Sequence, residues 1–358
     1  MAGHGIYLSR VWLGSQIAEK ALPRTIRPLT AHIKLTENCQ AKCITCDYWK
    51  TRWQDAIDTE QAINLVNQLG GVGVRSLRLT GGEPLLRKDL FEVLKHANSG
   101  AFQSIVVQTN GLLLKKLHKE INESPISKVA VSVDGLEQTN DFIRGIKGYF
   151  SLALEGIKLL RGKKLALSVT LNKISAMELN RLRDVALSVG AEIEPNILSQ
   201  SLFFYSDVSS LWPETAEAGE IVRFVRDELK RPSYEVDYME RYYKRENLAE
   251  PPCVLGYLQL FVMSNGDVLT GCHSLPPVGN VLREPLEAIL ASEAYRKQSV
   301  AMVRRECPSC VCGVESSLAM RHAGSSAVYE VRRLIAGRTV SNANADDKAK
   351  LAGAVGNS

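Results

Sequence analysis

The chain has 358 residues, 45% of them hydrophobic and 23% charged, with a formal net charge of +5. That length implies one large or two modest domains, and a core of this size folds without disulfide staples. The mild charge, with no basic run or aromatic–basic stripe, argues against a nucleic-acid partner, and no apolar stretch reaches the length of a membrane span.

The opening residues, MAGHGIYLSRVWLGS, lack the charged head and apolar centre of a signal peptide. A cytoplasmic location is expected, and the eight cysteines then read as metal ligands or reactive thiols rather than disulfides. From residue 31 a regular alternation begins. AHIKLT (31–36) reads as a strand, and Ala62, Ile63, Val66 and Leu69 follow at helical spacing. SLRLT (76–80) is the second strand, and Leu90, Leu94 and Ala97 mark the next helix. SIVVQT (104–109) and its helical sequel LLLKKLHKEI come third, then VAVSVD (129–134) with Ala153, Ile157 and Leu160. LALSVTL (165–171), a stripe at Leu179, Leu182, Ala186 and Val189, and EIEPNIL (192–198) complete the series.

Six β–α units predict an α/β fold with a parallel sheet, right-handed crossovers and outer helices. Each strand is expected to be apolar on both faces. Six units are too few for a full eight-strand barrel, so a partial (β/α)6 TIM-like barrel is predicted, with ligands at the C-terminal strand ends. The unusual residues sit at those ends: a cysteine loop after strand 1, TGGEP (80–84) after strand 2, TNG (109–111) after strand 3 and SVDG (132–135) at strand 4. Residues 199–250 read as a helical connection, and LQLFVMSNGDVLTGC (258–272) as a hairpin turning at Asn-Gly. REPLEAILASEAYRKQSVAMV follows as one or two helices. The last residues, SNANADDKAKLAGAVGNS, carry no aromatic side chain and predict disorder.

ENCQAKCITCDYW places Cys39, Cys43 and Cys46 in C-x3-C-x2-C spacing. Closely spaced thiolates bind iron–sulfur clusters, and three ligands on a cubane leave one iron open. A zinc knuckle, or three unrelated thiols, is the alternative at this point. With GGEP and SVDGLEQTNDFIRG following in order at successive strand ends, residues 31–200 resemble the radical S-adenosylmethionine (SAM) superfamily.

That resemblance implies a 4Fe–4S cluster on Cys39, Cys43 and Cys46 whose open iron chelates SAM. One-electron cleavage of SAM then yields a 5′-deoxyadenosyl radical that abstracts hydrogen from substrate. By motif, Gly81, Gly82 and Glu83 match the segment that holds the SAM amino group. Ser132 and Asp134 match the position at the ribose or carboxylate, and Asn110 is a further cofactor-binding candidate. Arg144 matches an arginine near the SAM carboxylate, and Tyr48 lies where the family packs adenine. Thr45 departs from the aromatic or large apolar residue of many relatives. An external electron donor such as flavodoxin or ferredoxin is also implied.

The stretch from Cys253 through NGDVLTGCHSLPPVGNV to CPSC resembles the SPASM/Twitch extensions that hold auxiliary 4Fe–4S clusters. Five cysteines suffice for one such cluster, and the ligands implied are Cys253, Cys272, Cys307 and Cys310. Zinc on the same sulfurs is the alternative. Cys312 is the odd thiol: a replacement ligand, a bystander or a hydrogen-atom donor as in an epimerase. His273, next to Cys272, reads as a hydrogen-bond donor behind a ligand. The expected organisation is therefore an N-terminal extension (1–30), a radical SAM partial barrel (31–198), a helical connection (199–250), a small α+β iron–sulfur extension (251–325) and a C-terminal helix with a disordered tail (326–358).

The resemblance further implies oxidation, dehydrogenation or epimerisation of a small natural product of sugar, aminocyclitol or nucleoside type. A peptide maturase is one alternative and a non-catalytic iron–sulfur redox scaffold another. Many peptide maturases carry a recognition domain of about 80 residues ahead of the barrel, and a first strand near residue 31 weighs against that. Asn196, Tyr205 and Asp207 are candidate polar groups in a substrate cleft between barrel mouth and extension.

Overall fold

Short apolar runs alternate with amphipathic helices, and the chain folds as that alternation dictates. The computed structural model describes residues 7, 10–11, 13–15, 19–50, 57–97, 100–198, 207–246 and 253–306. Cys307, Cys310, Cys312, Tyr205 and the 326–358 segment lie outside the described residues.

The elements run β1 (Thr30–Lys34), α1 (Thr59–Gly71), β2 (Ser76–Thr80), α2 (Leu90–Ala97), β3 (Ser104–Thr109), α3 (Leu114–Glu123) and β4 (Lys128–Ser132). Then come α4 (Glu137–Arg144), α5 (Tyr149–Ile157), β5 (Lys164–Leu171), α6 (Leu179–Ser188) and β6 (Ala191–Ile197). β2 and β3 fall where the periodicity puts them, and the other four strands shift by one or two residues. Helix α4 was not legible from periodicity, because its mostly polar sequence buries only Asn140 and Ile143. Helix α1 starts at an Asp58–Gln61 capping box, which satisfies two of the amide groups a helix start leaves open.

β1 to β6 pair in chain order, all parallel, as right-handed β–α crossovers require. Pro195, which cannot donate to a ladder, sits in β6, at the sheet edge where that loss is tolerated. The outward strand face is apolar and fully buried, with Ala31, Ile33, Leu77, Leu79, Val129 and Val131 packed against Leu65, Leu69, Leu94 and Leu182 of the helices. Burying a leucine such as Leu77 contributes about 2 kcal/mol.

The inward face corrects the expectation of strands apolar on both sides. His32 and Lys34 on β1, Arg78 and Thr80 on β2, Gln108 on β3, Ser132 on β4, and Ser168 and Thr170 on β5 all face a cavity. Val106, Ala130 and Ala166 form a small apolar plug on that face. The sheet curves, so its concave side encloses space rather than a second helix layer.

Past β6, α7 (Thr215–Arg223) runs into a π-helical turn (Phe224–Glu228), followed by α8 (Ser233–Tyr243). Tyr242 and Tyr243 donate to the carbonyls of Leu198 (3.0 Å) and Leu171 (3.2 Å), at the C-terminal ends of β6 and β5. These bonds hold α8 across the barrel mouth. A single turn, α9 (Leu255–Leu258), then leads to β7 (Gln259–Val262), β8 (Asp267–Leu269) and β9 (Gly279–Asn280). β7 and β8 form the expected hairpin, and Gly266 takes φ +86° at its turn.

β7 also pairs parallel with β1, on the edge opposite β2, so the extension continues the barrel sheet to nine strands. α10 (Leu286–Ala291) and α11 (Glu293–Val303) follow. Among the described residues no helix is long and apolar enough to cross a membrane.

Candidate active site

A cavity of about 410 Å³ opens at the C-terminal ends of the strands, under α8. Its upper wall is the loop after β1. Gly82 and Glu83 donate their amides to the carbonyls of Thr36 (2.8 Å) and Asn38 (2.7 Å). Lys42 and Ile44 donate to the carbonyls of Arg144 (3.1 Å) and Ile143 (2.9 Å). The cysteine loop is thus clamped between the glycine loop after β2 and the end of α4. The first clamp requires glycine: a Cβ on Gly81, at φ +140°, would stand 2.1 Å from the Thr36 oxygen, and one on Gly82 2.3 Å from that of Asn38.

Cys39, Cys43 and Cys46 all line the cavity, with Tyr48, Gly81, Gly82, Asn110, Ser132 and Arg144. Burial pushes the thiol of Cys39 up to about 11 and that of Cys46 up to about 12, and it raises Cys43 as well. Two nitrogen donors oppose this. Asn110 Nδ2 stands 3.8 Å from Cys39 Sγ, and Arg144 Nη1 stands 3.8 Å from Cys43 Sγ. Lys34 Nζ lies 3.6 Å from the centroid of the Tyr48 ring, and burial lowers its pKa to about 8.

Glu83 and Asp134 stand behind the wall rather than on it, both fully buried. The Glu83 carboxylate accepts from the amides of Leu85 (3.0 Å) and Asn110 (2.6 Å) and from the Thr109 hydroxyl (2.8 Å). It ties the β2 and β3 loops together, and burial raises its pKa to about 7. Asp134 pairs with Arg144 Nη2 at 2.8 Å and accepts from the Thr170 amide at 2.7 Å.

The sequence did not single out the lower part of the cavity. Arg78 on β2 reaches Glu194 on β6 at 3.2 Å, and Lys128 meets the same carboxylate at 2.9 Å. Asn196, an expected polar group, donates to Ser168 at 2.9 Å on this wall, whereas Asp207 is solvent-exposed and accepts from the Ser209 amide. Arg231, Glu235 and Met239 close the mouth from the α8 side, and Gln259, Phe261 and His273 come from the extension. The signal for the strand residues was present as polar side chains at every second position. Nothing local announced that His273 would reach the barrel.

The donor set can be tested against an iron–sulfur cluster and SAM. No three His, Cys, Asp or Glu among the described residues converge on a single-ion site, whereas three sulfurs share one cavity wall. That spread suits a polynuclear cluster better than one zinc ion. Arg144 Nε is buried without a hydrogen-bond partner among the described residues, a donor left for an anionic group such as a carboxylate. Cys253 is buried and Cys272 half-buried, and neither lines the cavity.

Comparison with known proteins points to the same cofactors. Residues 33–174 match the model of the radical SAM superfamily, and residues 253–312 match SPASM, an iron–sulfur cluster-binding domain. The AdoMet-dependent heme synthase of Methanosarcina barkeri is 26% identical over 293 residues, covering 74% of this chain and 82% of that protein. The Fe-coproporphyrin III synthase of the same organism is 33% identical over 157 residues, 42% of this chain, and the chain spans only 39% of its length. Streptococcus suis SuiB bound to its precursor peptide SuiA shares the fold, with a TM-score of 0.61 over 81% of this chain and 70% of that one at 19% identity. Native anSMEcpe with bound AdoMet does so at 0.60, over 86% and 99% of the two chains at 15% identity.

A radical SAM domain works with SAM and a 4Fe–4S cluster, and a SPASM domain holds auxiliary iron–sulfur. This chain belongs to the radical SAM superfamily and carries a SPASM domain behind its partial barrel.

Proposed function

We propose that this chain oxidises or epimerises a small polar natural product of sugar, aminocyclitol or nucleoside type at one of its C–H bonds. When bound, the cluster and SAM supply the electron and the 5′-deoxyadenosyl group that removes the hydrogen atom. Cys39, Cys43 and Cys46 hold the cluster. Gly81 and Gly82 would let the backbone approach the SAM amino group, Tyr48 would pack its adenine, and Arg144 Nε would receive its carboxylate. Glu83 and Asp134 act through the loops and the arginine they fix. Cys253 and Cys272, with Cys307 and Cys310, hold an auxiliary cluster. In the epimerase version Cys312 would give its hydrogen atom to the substrate radical, and the thiyl left behind would regain one electron from the auxiliary cluster and a proton from solvent. An external one-electron donor such as flavodoxin or ferredoxin reduces the first cluster.

One observation carries the substrate class: below the thiols the cavity is lined by amide, hydroxyl and ionic groups, among them Gln108, Ser168, Glu194, Asn196 and Arg78. Such a wall hydrogen-bonds a hydroxylated molecule and leaves an apolar one with unpaired polar neighbours. A second reading, an iron porphyrin substrate, is supported by the similarity that spans 82% of the heme synthase.

Anaerobic reconstitution followed by SAM and dithionite tests the enzyme itself. Formation of 5′-deoxyadenosine is expected, and its absence in protein with a verified cluster overturns the reading. Consumption of 5′-deoxyadenosyl equivalents by a polyol or nucleoside panel, but not by iron porphyrins, supports the first substrate class. The reverse result selects the second.

A further inference from the structure

We propose that Arg144, held in place by Asp134, is a positioning residue that sets the charge beside Cys43 and through it the reduction potential of the cluster. This rests on the proposed ligand role of Cys39, Cys43 and Cys46.

The guanidinium spans two partners, with Nη1 3.8 Å from Cys43 Sγ and Nη2 2.8 Å from Asp134 Oδ2. It is scarcely solvated, since the Arg144 side chain is 12% accessible and that of Asp134 0%. In such surroundings a fixed charge acts with little screening. Arg144 has little freedom to move away. Its own carbonyl accepts from the Lys42 amide, one residue before Cys43, at 3.1 Å. Asp134 is pinned in turn, accepting from the Thr170 amide at 2.7 Å and donating its own amide to Asn140 Oδ1 at 2.9 Å.

Hydrogen bonds to sulfur ligands and local charge are the protein's means of setting a cluster's potential. On reduction an external donor loses one electron and the cluster gains one negative charge. A cation against Cys43 stabilises that added charge, and the carboxylate of Asp134 partly offsets it. The pair therefore works as a trim: arginine raises the potential and aspartate limits the rise. Asn110, a neutral donor on Cys39, supports the thiolate with less effect on the charge.

The test is an EPR-monitored redox titration of the anaerobically reconstituted full chain, comparing wild type with R144L, R144K and D134N. The midpoint is expected to move to more negative values in R144L and to more positive values in D134N. R144K, which keeps the charge without the fork, should fall between R144L and wild type. An unshifted midpoint in cluster-loaded R144L overturns the role of Arg144 and leaves the cluster reading intact. Wild-type protein that takes up no iron overturns the cluster reading, and the tuning role with it.

Discussion

His32 on β1 and Phe261 on β7 are register partners across the parallel pair that joins barrel to extension, their ring centroids 4.6 Å apart. His273 meets the same phenyl ring in a T-shaped contact at 5.7 Å. One aromatic side chain thus links a barrel strand to the residue after Cys272, and all three rings face the cavity. The SPASM domain is built into the wall of the barrel site, through strand pairing and this contact.

Phe261 is therefore expected to matter for stability before chemistry. It is 6% accessible, and Phe261→Ala should cost about 3 kcal/mol through lost transfer energy and the cavity left behind. Phe261→Leu should cost less than about 1.5 kcal/mol. Anaerobic denaturant unfolding measures both, and equal midpoints for wild type and Phe261→Ala would contradict the packing described here.

Gly82→Ala should disrupt the cysteine loop. Its Cβ would lie 2.3 Å from the Asn38 oxygen and 2.4 Å from that of Glu37, and backbone cannot yield as a side-chain tip can. A loss of about 2 kcal/mol or more is expected, with iron uptake at the first cluster falling sharply. Gly71→Ala, whose Cβ meets nothing within 4 Å, is the control. Normal iron content in Gly82→Ala would show that the clamp is dispensable.

Glu83 gives a pH signature opposite in sign to that of a salt-bridged carboxylate. Burial raises its folded pKa from 4.5 to about 7, so between these values the folded state binds more protons than the unfolded chain. Its contribution is present below about pH 4.5 and is lost as pH rises through 7. In metal-free protein the stability of wild type relative to Glu83→Gln should fall across that window, by up to about 3 kcal/mol. A difference that is flat with pH, followed by urea unfolding at several pH values, would count against a neutralised Glu83.

Substitution of Arg78, which lines the cavity away from the cysteines, tests the proposed substrate wall separately from cofactor chemistry. Its partner Glu194 keeps a second cation in Lys128 at 2.9 Å, and the Arg78–Glu194 pair is partly open to the cavity. Arg78→Met should therefore change stability by no more than about 1 kcal/mol. SAM cleavage without substrate should persist, while KM for the substrate rises about tenfold or more, the cost of one lost charged hydrogen bond. Steady-state kinetics beside 5′-deoxyadenosine release checks this. Loss of both activities together would place Arg78 in the SAM site instead.

Much of the molecule was legible from residue order alone. Apolar periodicity located all six barrel strands, Asn265-Gly266 located the hairpin, and the spacing of Cys39, Cys43 and Cys46 after β1 located the mouth of the site. These features are local, because strand alternation, turn chemistry and ligand spacing act over a few residues. The expectation that failed was also local in kind: strands apolar on both faces would suit a flat sheet covered twice, and this one curves around a polar cavity.

Only the tertiary structure decided which distant groups meet. Arg144 reaches Cys43 across 101 positions of chain, and Arg78 reaches Glu194 across 116. The fold turned Glu83 and Asp134 inward as supports and brought His273 to the barrel wall through the β1–β7 pairing. Sequence sets backbone habit and side-chain chemistry through near neighbours. Contacts like these depend on how the crossovers and sheet curvature place whole elements, and no short window of residues contains that information.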